Sequence, residues 1–106
     1  MVLDRQAALE RLEQDLELYE EICAIFCDDV PRILAELKTA LKVVDLPAAT
    51  RHAHSIKSSA ANIGATNLSE AARSAENALR NGTIDNIPSL LSHIDCEMEL
   101  VLKELA

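Results

Sequence analysis

The segment DLPAATRHAHSIKSSAANIG, residues 45–64, decides the fold, because its terminal residues and the spacing of its apolar residues are those of one α-helix. Asp45 is a good N-terminal cap, and Pro47 suits a first turn. Gly64 is the residue type that most often follows the last turn of a helix. We therefore predict a helix from Pro47 to Ile63. Its apolar residues recur every three or four positions and define one face: Ala49, Ala53, Ile56, Ala60 and Ile63.

The same three- or four-residue spacing of apolar residues continues in the sequence before and after this helix. Before it, we predict a short helix from Arg5 to Gln14 and a long one from Asp15 to about Val44. After it, we predict one helix opened by an Asn67–Glu70 capping box and ending near Asn81, and a last one starting at Pro88. The inward residues expected on these three long helices are Leu16, Tyr19, Cys23, Phe26, Val30, Ile33, Leu37, Ala40, Val44, then Leu68, Ala72, Ala75, Leu79, and finally Ile87, Leu91, Ile94, Met98, Val101 and Leu105.

The composition favours an all-α fold. Hydrophobic residues make up 49% of the chain, but there is one Phe, one Tyr, no Trp and only two Gly, a poor composition for a β-sheet. Four long amphipathic helices with short links predict an antiparallel four-helix bundle with a short additional N-terminal helix, in a single domain spanning residues 1–106. Pro31 lies inside the second helix and is expected to kink it or divide it in two.

Charge and cysteine content exclude several classes of partner. The net charge of −8 opposes binding to nucleic acid, and aromatic stacking platforms for single strands are lacking. No apolar run of about 18 residues is present, so no membrane partner is expected. The charged N-terminus is unlike a signal peptide, and the three cysteines are expected to be reduced thiols in a cytoplasmic protein.

His54 is the candidate residue for chemistry. On a wheel of about 100° per residue it lies roughly 140° from the centre of the apolar stripe, so it should face water. An imidazole is largely a free nucleophile near neutral pH, and a phosphoryl group placed on it would bring nearly two negative charges. Lys57 and Arg51 are placed to balance that charge. Small or polar residues on the same side leave room for a docking partner: Thr50, Ser58 and Ala61.

The run from Ala53 to Ala65 resembles the signature of bacterial histidine phosphotransfer (HPt) domains, which reads His-x-hydrophobic-Lys, a small residue, and Gly ten residues after the His. His54, Ile56, Lys57, Ser58 and Gly64 fill these positions. Ala75 departs from the family, which often has Leu there. The resemblance extends to flanking residues: Phe26, Asp29, Leu37, Ala40, Leu41 and Asp45 upstream, and Ala72, Glu76 and Gly82 downstream.

The resemblance implies a helical bundle that exchanges phosphoryl groups with aspartates of response-regulator receiver domains. It makes His54 the phospho-acceptor, Lys57 its charge partner, Ser58 a docking position and Gly64 the end of the helix. The receiver would supply the aspartate and Mg²⁺, so no cofactor or metal is expected on this chain. The expected partners are receiver domains, with a hybrid sensor histidine kinase as a further candidate, and the chain should be a monomer.

Other interpretations remain open at this point. Without a Walker-type or glycine-rich nucleotide loop, the chain is expected to be a phosphocarrier and to lack kinase activity of its own. The alternative is a helical interaction module that binds and sequesters a receiver without accepting phosphate. A third hypothesis is a metal or redox sensor using the cysteines, although Cys23 and Cys27 lack two further zinc ligands. His52 and His93 are expected to be structural.

Overall fold

The computed structural model describes all residues 1–106 and consists of five α-helices without strands. The short α1 is followed by four longer helices that form the bundle. Helix α3 packs against α2 and α4, and α5 packs against α4 and α2, so α3 and α5 lie diagonally across the bundle. The predicted all-helical class is confirmed. The helices are α1 (Arg5–Arg11), α2 (Leu16–Lys42), α3 (Leu46–Asn62), α4 (Thr66–Arg80) and α5 (Ile87–Leu105).

Helix α3 begins and ends within one residue of the prediction. The carboxylate of Asp45 accepts a hydrogen bond from the Ala48 N–H at 3.1 Å, which satisfies one of the free donors of the first turn. Gly64 follows the last turn with φ +83°, and a Cβ there would lie 2.3 Å from the backbone oxygen of Asp4. Glycine is therefore required by both conformation and space. All five residues of the predicted stripe are fully buried.

Helix α2 runs unbroken through Pro31, so of the two outcomes predicted for this proline, a kink or a division of the helix, the division does not occur. Proline removes one backbone hydrogen bond and crowds the preceding turn. On the N-terminal side Phe26 and Val30 are buried, and on the C-terminal side Leu34 and Leu37 are buried in the same core. Because both halves of the helix pack into one core, burial outweighs the local cost of the proline.

Two predicted helix ends were also wrong. Helix α1 stops at Arg11, because Glu13 and Gln14 adopt positive φ angles of 55° and 64°. The Asn67–Glu70 capping box does not form: α4 begins at Thr66, and its N-cap, Ala65, has no capping side chain.

Two of the predicted core residues lie at helix ends and are exposed. Leu16 opens α2 at the end of the bundle and is 55% exposed. Val44 follows α2 with φ +56°, which turns its side chain out of the stripe and leaves it 66% exposed. The other predicted inward residues are buried or pack, partly buried, against the core. No helix combines the length and the apolar character needed to cross a membrane.

Candidate functional site

His54 lies on the outer face of α3, as the helical wheel predicts. Its side chain is 53% exposed, whereas the neighbouring Ala53 is fully buried. The imidazole borders an open depression of about 370 Å³ on the surface between α3 and α4. All of the residues that line this depression are polar or charged: Thr50, Arg51, His54, Ser55 and Arg80.

The buried carboxylate of Glu76 contacts the imidazole of His54. Glu76 comes from α4 and is 1% exposed, yet it has three polar partners. Its Oε2 lies 2.9 Å from Nδ1 of His54, and its Oε1 accepts a hydrogen bond from Nζ of Lys57 at 2.6 Å. The guanidinium of Arg80 forms an ion pair with Oε2 at 2.8 Å. Glu76 therefore links the histidine to two cations.

The surroundings of Glu76 decide its protonation state. Burial alone would raise the pKa of this carboxyl group. The hydrogen bond from Lys57, the one from His54, and the charges of Lys57 and Arg80 outweigh burial, so the pKa of Glu76 lies below its ordinary value. Glu76 is consequently ionised at neutral pH.

An ionised carboxylate only accepts hydrogen bonds, and this fixes the histidine tautomer. At 2.9 Å from Oε2 of Glu76, Nδ1 of neutral His54 must carry the proton. The lone pair then resides on Nε2, the ring nitrogen that is not bonded to Glu76, on a side chain that is 53% exposed. The site presents a nucleophilic nitrogen to solvent while its other nitrogen is held in place.

The predicted site residues fall into two groups. Lys57, half-buried, joins His54 through Glu76, and Thr50 and Arg51 border the same depression. Ser58 and Ala61 lie further along α3, outside that depression. Ser58 is exposed, while Ala61 is half-buried and its carbonyl accepts a hydrogen bond from Arg11 at 2.7 Å.

The remaining histidines and cysteines lie outside this cluster. His52 is half-buried, 3.8 Å from Glu36, and His93 is exposed, 3.6 Å from Glu97. No group of three or more His, Cys, Asp and Glu side chains has an arrangement suited to a metal ion. The three cysteines are free thiols that range from buried to exposed: Cys23, Cys27 and Cys96.

Reasoning from the sequence did not place Glu76 or Arg80 in the site. A signal was present, because Glu76 follows Ala72 by four residues and precedes Leu79 by three, which puts a carboxylate on the apolar face of α4. A charged residue at such a position needs a buried partner. Arg80 follows Glu76 by one helical turn, the spacing of an intrahelical ion pair.

Comparisons with known proteins agree with this geometry. A family model described as Hpt domain matches residues 21–106. The crystal structure of histidine-containing phosphotransfer protein B from Pseudomonas aeruginosa PAO1 is similar, with a TM-score of 0.89 and 26% sequence identity over 98% of this chain and 90% of that one. No curated protein sequence matches significantly. The chain belongs to the Hpt domain family and has a phosphotransfer role in two-component signalling.

Proposed function

We propose that this protein is a phosphorelay intermediate that accepts a phosphoryl group on His54 and passes it on, in exchange with an aspartate of a receiver domain. The observation that carries the proposal is the exposed His54 imidazole with Nδ1 held by the buried carboxylate of Glu76 at 2.9 Å. This arrangement leaves Nε2 free to attack and orients it outward.

In the forward step, the lone pair of His54 Nε2 attacks the phosphorus of the receiver's aspartyl phosphate. The N–P bond forms as the P–O bond to the aspartate breaks, and the aspartate leaves as a carboxylate with the bonding electrons. The proton on Nδ1 stays on the ring. The ring gains positive charge during the attack, and the ionised Glu76 stabilises that charge at hydrogen-bond distance. The reverse step returns the phosphoryl group.

Three cations of the chain lie close to His54. Lys57 lies next to His54 through their common partner Glu76, and Arg51 and Arg80 border the depression in front of the ring. The Arg80 side chain is 60% exposed, so it can turn from Glu76 toward an incoming anion. The receiver would contribute Mg²⁺, and this chain would act as a carrier without kinase activity of its own.

The test is phosphoryl transfer from a panel of phosphorylated receiver domains, followed by intact mass. The wild type should gain one acid-labile phosphoryl group, whereas His54→Gln should gain none. His52→Gln and His93→Gln are matched controls and should be phosphorylated normally. A receiver that binds without transferring phosphate would favour the sequestering module, and transfer to His54→Gln would exclude His54 as the acceptor.

A further inference from the structure

Half of the positive charges of this acidic chain lie on or next to α3 and α4, the helices that hold His54 and Glu76. The net charge is −8, yet α3 contains no Asp or Glu. Five of the ten Lys and Arg residues belong to the α3–α4 side of the molecule or are bonded to it. We call this surface the basic face, and its cations are Arg11, Arg51, Lys57, Arg73 and Arg80.

Arg11 reaches the basic face from a different element. It is the last residue of α1, and its guanidinium donates a hydrogen bond to the carbonyl of Ala61 at 2.7 Å. Ala61 follows His54 by seven residues, so the two lie on the same side of α3, about 10 Å apart along the helix axis. Arg73 of α4 borders the same shallow depression of about 200 Å³ as Arg11 and Ala61. Asp4 and Glu70 also line this depression, and Glu70 lies 3.8 Å from Arg73, so Arg11 is its one cation without a carboxylate partner within 4 Å.

The size of a protein interface places Arg11 within reach of a partner centred on His54. A specific complex covers about 800 Å² on each partner, which corresponds to a disc with a radius of about 16 Å. A receiver that delivers a phosphoryl group to His54 must place its phosphorylated aspartate directly opposite His54. Its surface would then extend over Ala61 and Arg11.

We infer that Arg11 is a docking residue for the receiver, and that it pairs with a carboxylate on the receiver surface beside the transfer site. The inference rests on the proposed function. Helix α1 lies outside the segment matched by the family model, residues 21–106. Arg11 contributes to the choice of receiver through the electrostatic complementarity of the two surfaces.

Arg5 offers a matched control on the same helix. Its guanidinium also donates to a backbone carbonyl near a helix C-terminus, that of Glu104 at 3.3 Å. Glu104 belongs to α5, which lies diagonally across the bundle from α3. Arg5→Gln and Arg11→Gln thus remove the same charge and the same kind of bond, but only Arg11→Gln alters the basic face.

The experiment measures the rate of phosphoryl transfer from a phosphorylated receiver at increasing concentrations of each variant. Arg11→Gln should raise the half-saturating concentration about 2- to 5-fold without changing the maximal rate. The effect should disappear at about 0.5 M salt, and Arg11→Lys should restore most of the affinity. Arg5→Gln should behave like the wild type.

Equal effects of Arg11→Gln and Arg5→Gln would overturn the inference, as would a change confined to the maximal rate. Thermal unfolding of both variants checks that each is folded under the assay conditions. If no receiver phosphorylates the wild type, the proposed function itself fails. If the wild type is phosphorylated and Arg11→Gln retains its half-saturating concentration, the inference about Arg11 fails by itself.

Discussion

Replacing Glu76 by Gln removes the negative charge that His54, Lys57 and Arg80 share, while it keeps the size of the side chain. Glu76 is 1% exposed, so water cannot substitute for the lost charge. A glutamine has one acceptor oxygen and an NH₂ group, and the NH₂ group cannot accept from either Lys57 or His54. At least one of the two charge-assisted hydrogen bonds, at 2.6 and 2.9 Å, is therefore lost, and the NH₂ group can bond to His54 only if the imidazole proton moves from Nδ1 to Nε2.

The expected loss of stability follows from these contacts. A hydrogen bond to a charged group contributes about 1.5–3 kcal/mol to the free energy of unfolding. The ion pair with Arg80 adds little, because the Arg80 side chain is 60% exposed. We expect Glu76→Gln to lower the free energy of unfolding by about 2–3 kcal/mol at pH 7. This corresponds to a decrease in Tm of roughly 10–20 °C for a domain of this size.

The stability difference should depend on pH. The pKa of Glu76 is lower in the folded state than its ordinary value, because Lys57, His54 and Arg80 favour the charged form. Its contribution is therefore fully present above the unfolded pKa, about 4.3, and is lost as the pH falls through the folded pKa. The difference in stability between the wild type and Glu76→Gln should therefore shrink as the pH falls from 7 toward 3.

Urea unfolding followed by circular dichroism between pH 3 and 7 measures this difference. Glu70→Gln is the matched control, since Glu70 is on the same helix, its side chain is 59% exposed and it pairs with Arg73 only at 3.8 Å. The control should remain within about 0.5 kcal/mol of the wild type. The reasoning is refuted if Glu76→Gln is as stable as the control at pH 7, or if its deficit is the same at every pH.

Three further predictions concern other parts of the fold. A positive φ costs an alanine about 1–2 kcal/mol. Gly64→Ala should lower the free energy of unfolding by well over this amount, because its Cβ would also collide with the Asp4 backbone. Gly82→Ala, with φ +72° and open space around it, should lower the free energy measured by thermal unfolding by only about 1–2 kcal/mol. Tyr19→Phe should lower the free energy of unfolding by about 1 kcal/mol, because it removes the buried hydrogen bond to the Ile63 carbonyl at 2.8 Å; an unchanged denaturation midpoint would contradict this. In a thiol-reagent assay, exposed Cys96 should react first and Cys23 last, because burial raises the pKa of the Cys23 thiol; the reverse order would contradict the packing of α2.

Some features of the fold that depend on local sequence could be predicted, although the end of α1 and the start of α4 were not. Asp45 and Gly64 delimit α3 because a cap and a left-handed terminus are properties of a few neighbouring residues. The apolar period of α3 likewise identifies its buried face without knowledge of the other helices. The exposure of His54 followed from that period, because a residue opposite the buried stripe must face outward.

The features that depend on tertiary packing could not be predicted in the same way. Whether Pro31 divides α2 depends on the burial of residues on both sides of it. Val44 lies outside the buried stripe because its own backbone adopts a positive φ. The role of Glu76 required knowing that α4 packs against α3 with His54 and Lys57 at the contact. The pattern alone showed a carboxylate on an apolar face, but it did not identify its partners.

The most direct test of the account is NMR of the His54 imidazole nitrogens in ¹⁵N-histidine-labelled protein, before and after phosphorylation by a receiver. We predict that free His54 carries its proton on Nδ1, held by Glu76, and that the phosphoryl group appears on Nε2 with the Nδ1 proton retained. A proton on Nε2 in the free protein, or a phosphoryl group on Nδ1 or on another residue, would contradict it.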